Sequence, residues 1–385
     1  MKYIALLGRL PKLSLAELES QFTGVKMTEG RGGGLETPLV AEFESETVPE
    51  IGRLGGVLKL AERLGKFPEA LGFLEGLPEG KITLGVSDLR PGASGFKAQG
   101  EALKLKKILQ RRGRSVRVLS NKTAVLSTAT SHHNQLAEKP NHVEILITKD
   151  GYYKLTGVQN ITEYAKRDQA RPARDAKVGM LPPKLAQILI NLCGPLPENA
   201  ILLDPFCGTG VVLQEAFIMG YTPYGTDLEP RMVEYSKKNM KWLVERLSKI
   251  DVKYFFDKSY IAEGDATSYC WDRSFDAVAC EAFLGQPMSQ PPAEIKLKQE
   301  KERCKTIILG FLKNLSGQAR TGTPVVVAVP AWLRENGEYS RLNILDEVEK
   351  LGYNVVKFRN SRQDDLLYYR EGQIVAREII VLRKK

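Results

Sequence analysis

Ala200–Asp227 reads AILLDPFCGTGVVLQEAFIMGYTPYGTD. Ala200 to Leu203 is a short apolar run that ends at Asp204. Asp204-Pro-Phe-Cys-Gly208-Thr-Gly210 makes a tight turn, and from Val211 to Met219 the apolar residues return at helical spacing. Gly220 stops that helix, and Thr222 to Asp227 reads as a second strand ending in a carboxylate. Strand, glycine turn, helix and strand predict the βαβ unit of a doubly wound sheet. Glycines let a ligand approach the backbone at the end of the first strand, where a helix N-terminus offers free N–H groups. An acid at the end of the second strand can accept both hydroxyls of a ribose. The dinucleotide fingerprint wants a third glycine three residues after the second, and Leu213 stands there. An ordinary βα turn of another α/β protein is the plainer alternative.

The chain has 385 residues, enough for two or three domains. No apolar run approaches about 18 residues, so no membrane span is expected. The N-terminal stretch reads as a strand and a helix rather than a secretion signal. The five cysteines are odd in number and scattered, which predicts a reducing, cytoplasmic compartment. With three histidines and no metal-ligand spacing, no metal site is expected. The net charge of +10 favours a polyanionic partner.

Before the glycine turn, Lys2–Leu7 is a predicted strand. Leu13–Phe22 is a predicted helix with Ser14 as N-cap and Glu17 at capping-box distance. Gly30–Gly34 is a turn, Leu39–Phe43 a strand, and Val48–Leu64 a loop and helix. Residues 1–65 are expected to form a small α+β unit. Lys97–Lys122 is the most basic segment of the chain. Ala98, Ala102, Leu105 and Leu109 form its apolar face, leaving Lys104, Lys107, Arg111, Arg112 and Arg114 for backbone phosphates. A solvated helix face is the alternative. Strands at Ile82–Val86, Val116–Leu119, Val143–Thr148 and Tyr152–Val158, with a helix at Thr128–Leu136, complete this half. Gln159–Arg174 reads as a polar, basic connector, and a helix from Val178 to Leu192 opens at Pro182-Pro183.

Asp204-Pro-Phe-Cys-Gly-Thr-Gly with Asp227 resembles motif I of Rossmann-type S-adenosylmethionine (SAM) methyltransferases, in the form carried by exocyclic-amine methylases. Arg167-Asp168, Arg171-Pro172 and Leu181-Pro-Pro-Lys-Leu-Ala before it resemble the tRNA guanine-N2 methyltransferases, the Trm-eleven type of eukaryotes and its archaeal relatives. The order of elements in the basic half resembles a THUMP RNA-binding domain behind a ferredoxin-like unit. The resemblance covers roughly Val116 to Arg383. It implies an α+β ferredoxin-like/THUMP-like half, then an α/β Rossmann-like SAM methyltransferase with a seven-stranded sheet. The expected division is 1–65 ferredoxin-like, 66–158 THUMP-like, 159–180 linker and 181–385 methyltransferase.

For the cofactor SAM, the resemblance implies Asp204, Phe206, Gly208 and Gly210 around the methionine end. Asp227 with Leu228 would meet the ribose, and Asp265 with Ala266 the adenine. It implies tRNA or another structured RNA as partner, the acceptor stem being the usual target, with no membrane. A small activator subunit stays open.

Amine methylases carry Asp or Asn, then Pro-Pro and an aromatic residue, after the fourth strand. The acid and a backbone carbonyl accept the two amine hydrogens and turn the lone pair toward the methyl, while the ring stacks on the base. Alignment and charge complementarity supply most of the effect, with no metal. Here the stretch is Glu281-Ala-Phe-Leu-Gly285-Gln-Pro. Glu281 stands for the acid, the Ala282 carbonyl for the second acceptor and Phe283 for the stacking ring, while both prolines are missing. Three readings stay open: guanine-N2 methylation in tRNA, methylation of another base or of DNA, and a SAM- or RNA-binding protein without catalysis. Glu281 as a structural carboxylate paired with Arg or Lys is a further alternative.

Overall fold

The computed structural model describes residues 1–28, 39–175, 180–247 and 260–385. The glycine turn at 30–34 and the start of the helix expected from Val178 lie outside the described residues. The chain divides into two compact units, Met1–Glu163 and Tyr164–Lys385.

The first unit is one eight-stranded sheet. Its elements are β1 (Lys2–Leu7), α1 (Pro11–Gln21), β2 (Thr23–Met27), β3 (Val40–Glu44), β4 (Val57–Gly65), α2 (Phe67–Glu75) and β5 (Ile82–Asp88). They continue as α3 (Gly95–Arg111), β6 (Val116–Val118), α4 (Thr128–His133), β7 (His142–Ile147) and β8 (Tyr152–Val158). The strand order is β2-β3-β1-β4-β8-β7-β5-β6. The expected break at residue 65 is therefore absent: β4 pairs antiparallel with β1 on one side and β8 on the other. Val48–Leu64 is a single 3-10 turn at Ile51–Arg53 followed by β4, not a loop and helix. Its apolar spacing suits either element, and two flanking strands decide for the strand because they satisfy its backbone on both edges.

Ser14 is not the N-cap of α1, a place taken by Leu10. Ser14 lies buried inside the helix and donates to the Gly56 carbonyl (2.8 Å), while Glu17 accepts the Gly55 and Gly56 N–H groups at 2.8 Å each. The residues that read as a capping box instead tie α1 to the loop before β4. In α3 the stripe Ala98, Ala102, Leu105 and Leu109 is buried as its spacing required, and Ser94 accepts the Lys97 N–H at the N-terminus.

The connector contains a helix, α5 (Ile161–Gln169). The second unit then runs α6 (Pro183–Leu192), β9 (Ile201–Asp204), α7 (Val211–Ile218), β10 (Thr222–Asp227), α8 (Pro230–Leu247), β11 (Tyr260–Glu263) and β12 (Ala277–Glu281). It ends with α9 (Glu294–Ser316), β13 (Pro324–Leu333), β14 (Tyr339–Ser340), α10 (Leu345–Lys350), β15 (Tyr353–Val355), β16 (Leu367–Tyr368) and β17 (Val375–Lys384). The main sheet has the order β11-β10-β9-β12-β13-β17-β15. β9 to β13 are parallel, and β17 runs antiparallel to both its neighbours. β14 against β13 and β16 against β17 bring the sheet to nine strands, two more than the seven the resemblance implied, and a parallel core with one strand reversed near the end is a Rossmann-like arrangement. Val325, Val327, Val329, Ile380 and Leu382 pack under Ile308, Phe311 and Leu315 of α9. Leu213 of α7 and Val233, Met240 and Val244 of α8 form a smaller cluster with Ile261.

Candidate active site

In an open parallel sheet, ligands bind beyond the carboxyl ends of the strands where the strand order reverses. Here that point is between β9 and β12. Gly225 lies opposite Asp204, Asp227 opposite Glu263, and Val278 opposite Leu203. This register brings the ends of all four strands, with Asp204, Asp227, Asp265 and Glu281, to one edge.

The turn after β9 is built by glycine geometry. Gly208 and Gly210 have φ of +50° and +81°, in the left-handed region. A Cβ on Gly210 would stand 2.8 Å from the Ser236 Oγ, whereas one on Gly208 meets nothing nearer than 3.9 Å. Gly210→Ala is thus expected to lower the melting temperature by roughly 2–12 °C, from about 1–3 kcal/mol of strain and clash. Gly208→Ala should do less, because it adds strain without the clash. Equal melting of both variants with wild type would show that the turn tolerates a side chain.

Helix α8 holds the turn through two buried polar residues that sequence reasoning missed. Ser236 donates to the Gly208 carbonyl (2.9 Å), and Asn239 donates to the Thr209 carbonyl (2.8 Å). Asn239 also exchanges hydrogen bonds with both backbone groups of Ala173, tying residues 171–175 to the turn. The signal was there: a serine and an asparagine three apart on an otherwise apolar helix face.

Asp204 is buried and accepts the Phe206 N–H (3.1 Å). Burial lifts its carboxyl well above the usual range, and the Asp227 and Glu281 charges push the same way. Asp227 accepts the Gly208 N–H (2.8 Å) and the Glu229 N–H (3.0 Å), and burial raises it too. Leu228 is exposed beside it. Asp265 accepts both the N–H and the hydroxyl of Thr267, and buried Ala266 presents its carbonyl to Asn314. Phe206 packs edge-on against Phe311 at 5.1 Å.

Glu281 sits at the end of β12 with its Oε1 2.6 Å from the Arg377 Nε. The Ala282 N–H donates to the Ala328 carbonyl (3.0 Å). Phe283 lies beneath the Arg303 guanidinium, 4.9 Å from the ring centre, so one face of the ring is already covered. Gly285, at φ +84°, passes within Cβ reach of Glu300, which accepts the Gln286 N–H (3.2 Å). Helix α9 therefore supports Phe206, Ala266 and Phe283 together, a role its sequence did not announce. Arg377 was also missed, although a charged Arg-Glu pair inside the apolar strand Val375–Lys384 is a visible anomaly.

Upstream, Arg167 pairs with buried Glu215 (2.8 Å), which also accepts from Gln187 (2.8 Å). Arg171 is different. Its side chain is buried, and its Nε and Nη1 have no hydrogen-bond partner. Its Nη2 reaches the Asp168 carbonyl (3.5 Å), the Met180 Sδ (3.6 Å) and the Asp168 carboxylate (3.9 Å), and burial pulls the Arg171 pKa down.

In the first unit, the basic residues of α3 and the turn after it divide into two groups. Lys107 and Arg111 are exposed. Lys104 is exposed too, with its ammonium 4.9 Å from the Phe67 ring centre. Arg112 pairs with Glu75. Arg114 donates to the carbonyls of Leu77 (2.8 Å) and Pro78 (2.6 Å), so it closes the end of α2. The expectation that Arg112 and Arg114 are free for phosphates is corrected accordingly. Among the described residues no helix is long and apolar enough to cross a membrane.

A mixed, mostly parallel sheet with a glycine turn after its first strand and acids at the ends of the next three makes the second unit a Rossmann-like α/β domain. The family model for UPF0020, the RMKL-like methyltransferase domain, matches residues 171–300. The tRNA (guanine(10)-N2)-dimethyltransferase of Methanothermobacter thermautotrophicus is 29% identical over 168 residues, 43% of this chain and 44% of that protein. The enzyme of the same name from Pyrococcus abyssi is 29% identical over 181 residues, 46% of this chain and 44% of that protein. The chain thus matches somewhat under half the length of these relatives. TrmN from Thermus thermophilus aligns over all of both chains at 18% identity with a TM-score of 0.44, too loosely to carry weight.

Proposed function

We propose that this chain is a SAM-dependent methyltransferase acting on guanine N2 in tRNA. The observation that carries the reading is the gathering of Asp204, the glycine turn, Asp227, Asp265 and Glu281 at one edge of the sheet, within and beside the stretch matched by a methyltransferase family model. The relatives named for guanine-10 N2 methylation supply the base and the position.

The residues fit the cofactor by charge. The two buried acids Asp204 and Asp227, of which Asp204 feels the charge of the other, suit a ligand that carries cationic sulfonium and ammonium groups. The Nε and Nη1 groups of Arg171, buried without a hydrogen-bond partner, suit the carboxylate of the same ligand. Asp227 and Leu228 would hold the ribose side, and Asp265 with Ala266 the adenine. Bound SAM supplies an electrophilic methyl on a sulfonium that leaves as a neutral thioether. Glu281 and the Ala282 carbonyl accept the two N2 hydrogens and turn the lone pair toward that methyl. As the new C–N bond forms, the amine becomes cationic, and Glu281 is placed to take up its proton.

The basic first unit, THUMP-like in this reading, would hold the RNA through Lys104, Lys107 and Arg111. Arg111→Ala is expected to weaken tRNA binding and to reduce the salt slope by about 0.9. Arg114→Ala should instead lower the melting temperature of the first unit. Loss of RNA binding by Arg114→Ala at unchanged melting would reverse this division of labour. Four buried cysteines and one exposed, all unpaired, suit the cytoplasm.

The deciding experiment is transfer of labelled methyl from SAM to a tRNA transcript, followed by nucleoside mass analysis. N2-methylguanosine is the expected product. Transfer to another nucleoside or to DNA would move the substrate. The ion pair between Glu281 and Arg377 favours one second reading, binding without transfer, which would show as retained RNA and SAM affinity with no product.

A further inference from the structure

We infer that Glu281 and Arg377 act together as a reader of the guanine edge. The inference rests on the proposed reaction at N2. Glu281 lies opposite Ala328 and Arg377 opposite Pro330, so Arg377 stands two residues further toward the carboxyl ends of the strands. Their side chains are 16% and 6% exposed and share one hydrogen bond of 2.6 Å. A guanidinium has five N–H donors and a carboxylate about four acceptor sites. Among the described residues, no other group bonds the Arg377 guanidinium or the Glu281 Oε2. An enclosed pair with so many unused sites does little for stability, since desolvation offsets much of its attraction. What the pair leaves unused is an acceptor at Glu281 Oε2 and the donors on the Arg377 terminal nitrogens.

Guanine presents the complementary row. Its N2–H and N1–H are adjacent donors, and O6 beside them is an acceptor. Glu281 takes the two donors, and the terminal nitrogens of Arg377 take O6. Adenine reverses the pattern, with an acceptor at N1 and a donor at N6, and meets like against like at both residues. The length of the glutamate side chain lets one carboxylate touch both the base and Arg377, and the guanidinium fixes the acid in place.

The test uses the full chain and two tRNAs, one with guanine and one with 2-aminopurine at position 10. 2-Aminopurine keeps the N2 amine but lacks O6 and the N1 hydrogen. Wild type should prefer guanine by at least about 100-fold in kcat/KM, because a site built to hydrogen-bond rejects an analogue that leaves its groups unpaired. Arg377→Met should lower kcat/KM for guanine about 10–100-fold more than for 2-aminopurine, which loses only the anchoring of Glu281 that both substrates share, so the ratio collapses. Equal losses on both RNAs would assign Arg377 a structural role and overturn the inference. Should wild type transfer no methyl to either, the proposed reaction fails separately. Equilibrium binding then still decides the reader: a guanine preference that Arg377→Met removes supports it, and equal affinity for both RNAs overturns it.

Discussion

Glu281→Gln is expected to slow methyl transfer by about 10²–10³-fold while SAM affinity stays within about twofold, because one preorganised partner of the reacting group is lost. The change keeps size and shape. It removes the charge that pairs with Arg377 at 2.6 Å and replaces one acceptor by an NH2 donor. If the new amide turns its oxygen to Arg377, its NH2 faces the substrate amine and repels it. If it turns the other way, NH2 faces the guanidinium. Neither rotamer satisfies both neighbours, which is why the amide should fail here. Single-turnover transfer and equilibrium SAM binding measured on the same preparation separate the two effects. Unchanged turnover would remove Glu281 from the chemistry. A parallel fall in SAM affinity would show that the Asp204–Asp227–Glu281 cluster is read mainly by the cofactor.

Local features of the chain were legible where local physics settles them. The turn at Gly208–Gly210, the stop at Gly220 and the buried stripe of α3 follow from backbone sterics and periodicity, and each stands where its residues implied. Partnerships across long stretches of chain were not legible. Glu281 and Arg377 are 96 residues apart, and only the β13–β17 pairing brings them together. The glutamate alone reads equally as an acid of the reaction or as half of an ion pair, and the structure makes it the second without excluding the first. Arg112 and Arg114 looked like two members of one basic run, yet Glu75 at the end of helix α2 engages both, Arg112 through its carboxylate and Arg114 through its carbonyl. Ser14 and Glu17 kept the spacing of a capping box, but a loop forty residues later took up both side chains. A capping spacing says that a hydroxyl and a carboxylate share a face; it does not say which N–H groups will be there.

The same limit applied to the boundary at residue 65. The run of strands and helices up to Leu64 suggested a small unit of its own, whereas a buried charge network links the strands on either side of that boundary. Lys59 of β4 and Glu144 of β7 are 1% and 0% exposed and meet at 2.7 Å. Lys59 also donates to the Leu126 carbonyl (2.8 Å), and Glu144 accepts from Ser87 (2.5 Å) and Ser131 (2.6 Å). Burial pulls the Lys59 ammonium down in pKa, and Glu144 opposes that pull. Lys59→Met should therefore leave an uncompensated carboxylate in a dry interior and cost about 3–5 kcal/mol. In the melting transition of this unit that is a fall of roughly 6–20 °C. Glu144→Leu alone should cost a similar amount by stranding the ammonium. The double replacement should regain most of the loss, short of the hydroxyls of Ser87 and Ser131 left without an acceptor. Hydrogen exchange at the β4 and β7 amides of the full chain reads the effect without assuming a single transition. A loss below about 1 kcal/mol for Lys59→Met would mean that water reaches the pair, and the network would then not be what joins the two ends of the first unit into one sheet.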